Sequence, residues 1–364
     1  EMASAMPRAG GTYFFVSRSL GGMFGTLDGV GVWLALILKT SIALLGLGAY
    51  LSIYLQLPMQ LTAIVAGLGF MAINIVGAKE TTSLQVAMVA GLLGILIYLI
   101  VRGAPEIERD FYTPFAPNGA GAILPTTALV FISYIGLTKV ASIAEEVENP
   151  GRNIPLGMFL ALAIILVLYA AVVGLVVGIV PAEQLHGTLT PIADAADLAL
   201  GPFGKHLISV AAALAFATTA NAGILSASRY LLAMSRDRVI PHPFSRFCRF
   251  KTPLNAILLT SGVILLFVLS TGIERIAKLA SAFQLLVFAF VNIAVIVMRE
   301  SGIESYDPRF KSPFYPWVQV VGILISVVLI PEMGLLPSIF AMGLVAVGAI
   351  WHNLYVVKHV SPRV

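Results

Sequence analysis

The sequence predicts an all-α, polytopic helical membrane protein. Of its 364 residues, 59% are apolar and only 11% are charged, whereas ordinary soluble domains have about 25% charged residues. The apolar residues gather in stretches of about 20, the helical length that crosses a hydrocarbon core of roughly 30 Å. The strict alternation typical of membrane β-barrel strands is not present in the sequence. Soluble Rossmann enzymes, DNA-binding modules and secreted disulfide scaffolds are therefore excluded.

Ten stretches are long and poor enough in charge to be predicted as membrane spans. Their limits follow from the runs between charged or loop-forming residues. In chain order, the predicted spans are Gly29–Tyr54, Met59–Val76, Thr82–Val101, Ile123–Val140, Pro155–Val180, His206–Met234, Leu254–Leu269, Leu279–Met298, Pro316–Ile330 and Leu335–Val357.

The distribution of Lys and Arg predicts the orientation of these spans. Fifteen of the 22 basic residues fall on the side that holds both chain ends, five fall opposite, and Lys39 and Lys139 lie inside spans. An excess of basic residues marks the cytoplasmic side. Both ends are therefore expected in the cytoplasm, with the protein in the cell membrane. The basic loop Arg229–Lys251 is interpreted as a contact to anionic lipid and not as a nucleic-acid site.

The fourth predicted span contains a polar, glycine-containing break at 131–139. Transporters use such breaks to expose backbone carbonyls and helix ends to a substrate at the bilayer midplane. The alternative is a continuous helix, in which Ser133 bonds to its own backbone and Gly136 permits close packing. Phe131 and Tyr134 are candidate gate or stacking residues, although aromatic residues in membrane helices often only pack.

Lys39 lies about ten residues into the first predicted span, where an ammonium group is costly unless it faces a cavity or loses its proton. No other predicted span has an Asp or Glu near its centre. A substrate carboxylate, backbone carbonyls or deprotonation during transport are the explanations that remain. Snorkelling to the interface is the alternative, and the distance of Lys39 from either end argues against it.

The sixth predicted span combines small residues with the hydroxyls of Thr218 and Thr219. Hydroxyl oxygens can coordinate a hard cation, whereas small residues alone permit close helix packing. The single cysteine, Cys248, cannot form an internal disulfide, and the sequence has no metal-ligand spacing. Catalytic signatures such as HExxH, GxSxG and the P-loop are absent from the sequence, so no enzyme is expected.

Four segments resemble motifs of the amino acid–polyamine–organocation (APC) permease family. They follow the family order along most of the chain, and a stretch at Ser17–Gly21 is similar to cation-chloride cotransporters. The four segments are Glu1–Tyr13, Ala144–Pro155, Ser226–Pro241 and Tyr306–Pro313.

This resemblance implies a five-plus-five inverted-repeat (LeuT/APC-like) transporter fold that works by alternating access. The ten spans then correspond to the third to twelfth helices of the family, so the first two helices are expected to be missing. Residues 1–364 form a single permease domain, divided into the rest of the first repeat (1–101), the second repeat (111–299) and two trailing helices (315–357).

The resemblance also implies the functional residues of an amino acid permease. The expected substrate site contains Phe131, Ser133, Tyr134, Ile135, Gly136 and Thr40, and the expected coupling or ion residues are Lys39, Thr218 and Thr219. The expected substrate is an amino acid or a similar small amine, and the expected partners are this substrate and the lipid bilayer, without nucleic acid. No cofactor is expected; a proton is the expected coupling ion and sodium the alternative. A cation or cation-chloride transporter, or a fragment that does not transport, are the competing hypotheses.

Overall fold

A computed structural model describes residues 1–6, 11–77, 82–136, 147–270, 272–303 and 306–359. Within these ranges the chain is helical and contains no β-strand, as the sequence predicts. The α-helices are α1 Met2–Ala5, α2 Gly11–Leu20, α3 Gly22–Leu55, α4 Met59–Val76, α5 Thr82–Gly103, α6 Ile123–Val130, α7 Pro150–Ile179, α8 Ala182–Leu185, α9 Pro191–Arg236, α10 Leu254–Ser270, α11 Ile273–Glu300, α12 Trp317–Glu332, α13 Leu335–Trp351 and α14 Val357–His359.

Seven helices in the described part are long and apolar enough to cross a membrane. Three shorter apolar helices occupy the remaining predicted spans, at Ala120–Tyr134, Leu254–Ser270 and Trp317–Glu332. The described residues therefore support a multi-pass membrane protein.

Several helices extend beyond the predicted span limits because an acidic, basic or polar residue did not end the helix. Helix α3 begins at Gly22, so Asp28 belongs to it and is fully buried. Helix α9 begins at Pro191, and its early part turns at Gly201, whose φ of 72° is left-handed. Asp28, which the sequence places just outside the first predicted span, therefore lies on the same helix as Lys39.

Helix α3 is the centre of the fold. Helices α2, α4, α9, α10, α11 and α13 all pack against it, and its buried residues extend from Gly25 to Tyr50. Two polar bonds fasten it to α10: the Trp33 indole donates to Thr260 Oγ1 at 3.2 Å, and Ser41 Oγ donates to the Ile264 carbonyl at 3.2 Å. Such bonds hold helices together where burial of apolar surface alone gives little specificity.

An ion pair fastens the beginning of the described chain to the end of α11. Arg299 donates to both carboxylate oxygens of Glu1, at 2.8 and 2.6 Å, and Tyr306 Oη and the Ser312 N–H donate to the same group. Burial acts to raise the pKa of Glu1, but the hydrogen bonds from Arg299, Ser312 and Tyr306 outweigh it and leave the pKa below its ordinary value.

We expect Arg299→Gln to lower the free energy of unfolding by about 3 kcal/mol at neutral pH, because it leaves the buried Glu1 carboxylate without its cation. The folded pKa of Glu1 is lower than its unfolded pKa, so its contribution is complete above the unfolded pKa and is lost as the pH falls through the folded pKa. Thermal unfolding in detergent should show that the difference in stability between wild type and variant becomes smaller in acid. Lys311→Gln, at an exposed position, is the control. A stability difference that does not depend on pH would contradict the role of the Arg299–Glu1 ion pair.

Candidate functional site

A cavity of about 280 Å³ lies between α3, α5 and α9. Its polar lining consists of the Lys39 ammonium and the hydroxyls of Thr40, Thr218 and Thr219. Its apolar lining comes from Leu36, Met88 and Val89, with the small residues Ala222 and Gly223 on the α9 side. The cavity is thus lined by a lysine, three threonines and several apolar residues.

Close packing of α3 against α9 positions the polar lining. Thr40 is buried, and its hydroxyl donates to the Leu36 carbonyl one turn earlier at 2.6 Å. This fixes the side chain of a β-branched residue that is already stiff in a helix. Gly223 faces it, and a Cβ at Gly223 would overlap Thr40 Oγ1. The absence of a side chain at Gly223 therefore allows the two helices to approach at the edge of the cavity.

The two threonines of α9 differ in their surroundings. Thr218 Oγ1 donates back to the carbonyls of Leu214 and Ala215, both at 3.0 Å, which leaves its lone pairs available to a ligand. Thr219 is exposed at the rim of the cavity. Both hydroxyls belong to one surface with Lys39, as the hypothesis of an ion or coupling site requires.

The α-helical part of α6 ends at Val130, and residues 131–134 continue as a single 3₁₀ turn. After this turn Gly136 comes close to the cavity, because a Cβ placed there would lie 3.6 Å from Lys39 Nζ. The rest of the expected break, including Lys139, lies outside the described residues. Gly136 is therefore the part of the break that the structure brings to Lys39.

The other four residues expected in the substrate site do not line this cavity. Ile135 is buried in the core beside Ile224 of α9. Phe131 packs edge-to-face on Phe288 with ring centroids 5.5 Å apart, Tyr134 lies 6.2 Å from the Tyr169 ring, and Ser133 is exposed. These aromatic contacts join the 3₁₀ turn after α6 to α7 and α11, so the packing interpretation describes Phe131 and Tyr134 in this conformation.

Sequence reasoning missed the apolar wall and Asp28. Leu36 lies one turn before Lys39 and Thr40, a spacing that places the three residues on adjoining faces of α3. Met88 and Val89 come from α5, and no sequence pattern distinguishes them from other apolar residues of that helix. Among the described residues no three His, Cys, Asp or Glu side chains meet as a metal site.

A family model for amino acid permeases matches residues 1–358. The chain belongs to the amino acid permease family. The match confirms the resemblance found in the four sequence motifs, and it agrees with the expectation of a transporter and not an enzyme.

Relatives of this permease have transporter names but differ in the substrate named. The branched-chain amino acid permease BcaP of Bacillus subtilis is 28% identical over 99% of this chain and 82% of its own length. A methylthioribose transporter of the same organism has the same identity and coverage. The mitochondrial cationic amino acid transporter 3 of Arabidopsis thaliana is 30% identical over 61% of this chain and 38% of its own length. A specific substrate therefore has to be argued from the cavity.

We expect Gly223→Ala to destabilise this permease by about 1–3 kcal/mol, because the added methyl group overpacks the contact with Thr40. The double variant Gly223→Ala/Thr40→Ala should regain most of the loss, since it removes the overlapping hydroxyl and methyl. Thermal unfolding in detergent measures both. Gly174→Ala, where a new Cβ meets open space, is the control. A double variant no more stable than the single variant would show that the α3–α9 contact does not depend on this pair.

Proposed function

We propose that this permease is a secondary active transporter of neutral amino acids with apolar side chains, driven by protons. The observation that supports the proposal most directly is the cavity, which has both a polar and an apolar lining: Lys39, Thr40, Thr218 and Thr219, and Leu36, Met88 and Val89. The Lys39 ammonium suits the substrate carboxylate, and the apolar lining residues suit an apolar side chain. Lys39 would repel a cationic side chain at this position, which favours a branched-chain substrate over lysine or arginine.

Alternating access in a five-plus-five inverted repeat belongs to the same proposal. Residues 1–101 and 111–299 are the two repeats and 315–357 the trailing helices, in a cell membrane with both chain ends in the cytoplasm. The helical break after Val130 supports this architecture, because such breaks accompany binding sites near the bilayer midplane. Gly136 brings the break close to Lys39. A movement of α6 would therefore change the surroundings of a carboxylate bound to Lys39.

Sodium coupling is the second candidate, and the shared surface of Thr218, Thr219 and Lys39 favours it. A hydroxyl that donates to a carbonyl, as Thr218 does, still presents oxygen lone pairs to a cation. The positive charge of Lys39 beside the same site opposes a second cation and favours the proton-driven cycle.

We expect reconstituted wild-type protein to exchange radiolabelled leucine, with competition by valine and isoleucine but not by lysine. Lys39→Met should raise the KM for leucine by about tenfold to a hundredfold, the loss of one charge-assisted hydrogen bond. Lys205→Met is the matched control, since Lys205 pairs with Asp197 in another part of α9. If uptake and its pH dependence are unchanged in Lys39→Met, Lys39 takes part in neither substrate binding nor coupling.

The same vesicles distinguish the coupling ions. With a proton gradient and no sodium, wild type should accumulate leucine, and Thr218→Val/Thr219→Val should accumulate it equally well. Accumulation that requires sodium and is lost in this double variant would replace the proton-driven proposal with the sodium-driven one. Potassium- or chloride-dependent flux without competition by amino acids would contradict both.

A further inference from the structure

Asp28 is a buried carboxylate that the candidate substrate site does not use. Its side chain is inaccessible to solvent, and neither of its oxygens has a hydrogen-bond partner among the described residues. It lies six residues into α3, about 9 Å along the helix axis from Gly22. A carboxyl group placed in this way inside a membrane helix points to a function.

Two helices cover Asp28. From α2, the Thr12 hydroxyl lies beside the carboxyl group, and Thr12 is itself buried without a hydrogen-bond partner in the described part of the chain. From α9, the Tyr230 phenol lies beside Thr12 and close to Asp28. Met234 and the Tyr13 ring close over the neighbouring Gly29, where a Cβ would lie 2.7 and 2.9 Å from them.

The other helices that pack on α3 bring no positive charge to Asp28 in the described structure. Helices α4, α10 and α13 have no ionisable side chain, and those of α11 lie at its two ends. His352 reaches α3 at Thr26, with Nδ1 3.4 Å from Thr26 Oγ1. Asp237 lies just beyond α9, where its carboxylate accepts a 2.8 Å hydrogen bond from Tyr13 Oη.

Among the described residues, an ionised Asp28 carboxylate would have no counter-charge and would accept no hydrogen bond; Arg18 of α2 and Arg229 and Arg236 of α9 are exposed. Burial of such an ion costs several kcal/mol, far more than burial of the neutral acid. The arrangement therefore suits the protonated acid. A hydrated carboxylate would need α2 and α9 to separate, and the Tyr13–Asp237 hydrogen bond is the described polar contact that holds them together at this end.

We propose that Asp28 is a proton-binding site of the transport cycle, sealed in this conformation between α2 and α9. The inference rests on the proposed function, because it names the group that binds the driving proton. When water reaches the site, the carboxylate accepts a proton from hydronium to give the acid and water. The reverse transfer occurs when α2 moves from α9 on the predicted cytoplasmic side. In this proposal Lys39 binds the substrate and Asp28 binds the proton.

The test compares two kinds of transport by reconstituted full-chain protein, with radiolabelled leucine as the probe. Leucine exchange without a proton gradient requires no net proton movement. Leucine accumulation requires protons to move down their gradient. One pH unit of gradient, acidic outside, can sustain about tenfold accumulation in wild type, which corresponds to 1.36 kcal/mol. Asp28→Asn mimics the protonated acid, so it should exchange leucine but equilibrate it without accumulation. The exposed Asp307→Asn is the matched control and should accumulate leucine as wild type does.

Each outcome decides one question. Failure of wild type to exchange leucine or any other amino acid rejects the proposed function itself. Accumulation by Asp28→Asn equal to that of wild type overturns the role of Asp28 and leaves transport intact, as does accumulation driven by sodium in place of protons. Infrared spectroscopy of the wild type tests the proposal without any variant. The carbonyl band of a protonated carboxylic acid should be present at neutral pH. Absence of this band overturns the proposal.

Discussion

Exclusion of water from α3 is the constraint on which the rest of the structure depends. A polar group in such surroundings costs several kcal/mol unless it finds a partner. Thr40 and Ser41 donate to carbonyls of their own or a neighbouring helix, and Trp33 donates to Thr260. The Asp and the Lys of α3 bear most directly on function. Lys39 faces a cavity, and Asp28 is covered by α2 and α9.

Both of these sites lie on the seam between α3 and α9. Asp28 and Lys39 are eleven residues apart on α3, about three turns, so they share one face of the helix. Tyr230 and Thr219 are also eleven residues apart on α9, and each belongs to the site of its α3 neighbour. One helix pair therefore contains the candidate substrate cavity at one level and the proposed proton site at another.

The sequence was sufficient for the helices and for part of the cavity, because both depend on local patterns. Apolar length predicts spans, and Lys39 was conspicuous as a charge within one. Thr218 and Thr219 were distinguished by their hydroxyls in an otherwise small-residue and apolar span, and they do line the cavity with Lys39. Asp28 was missed because hydropathy treats a charged residue as exposed, whereas α2 and α9 cover it. Met88 was missed because only the tertiary arrangement distinguishes one apolar residue of α5 from another.

The separation of the two sites limits how a proton on Asp28 can influence a substrate at Lys39. Eleven helical residues span about 16 Å, and two unit charges at that distance interact by about 1 kcal/mol at an effective dielectric of 20. This is less than the 1.36 kcal/mol that a tenfold accumulation requires. Direct attraction is therefore too weak to couple them. Movement of α9 is the mechanism that fits the proposal, because α9 covers Asp28 together with α2 and also contacts Thr40 through Gly223.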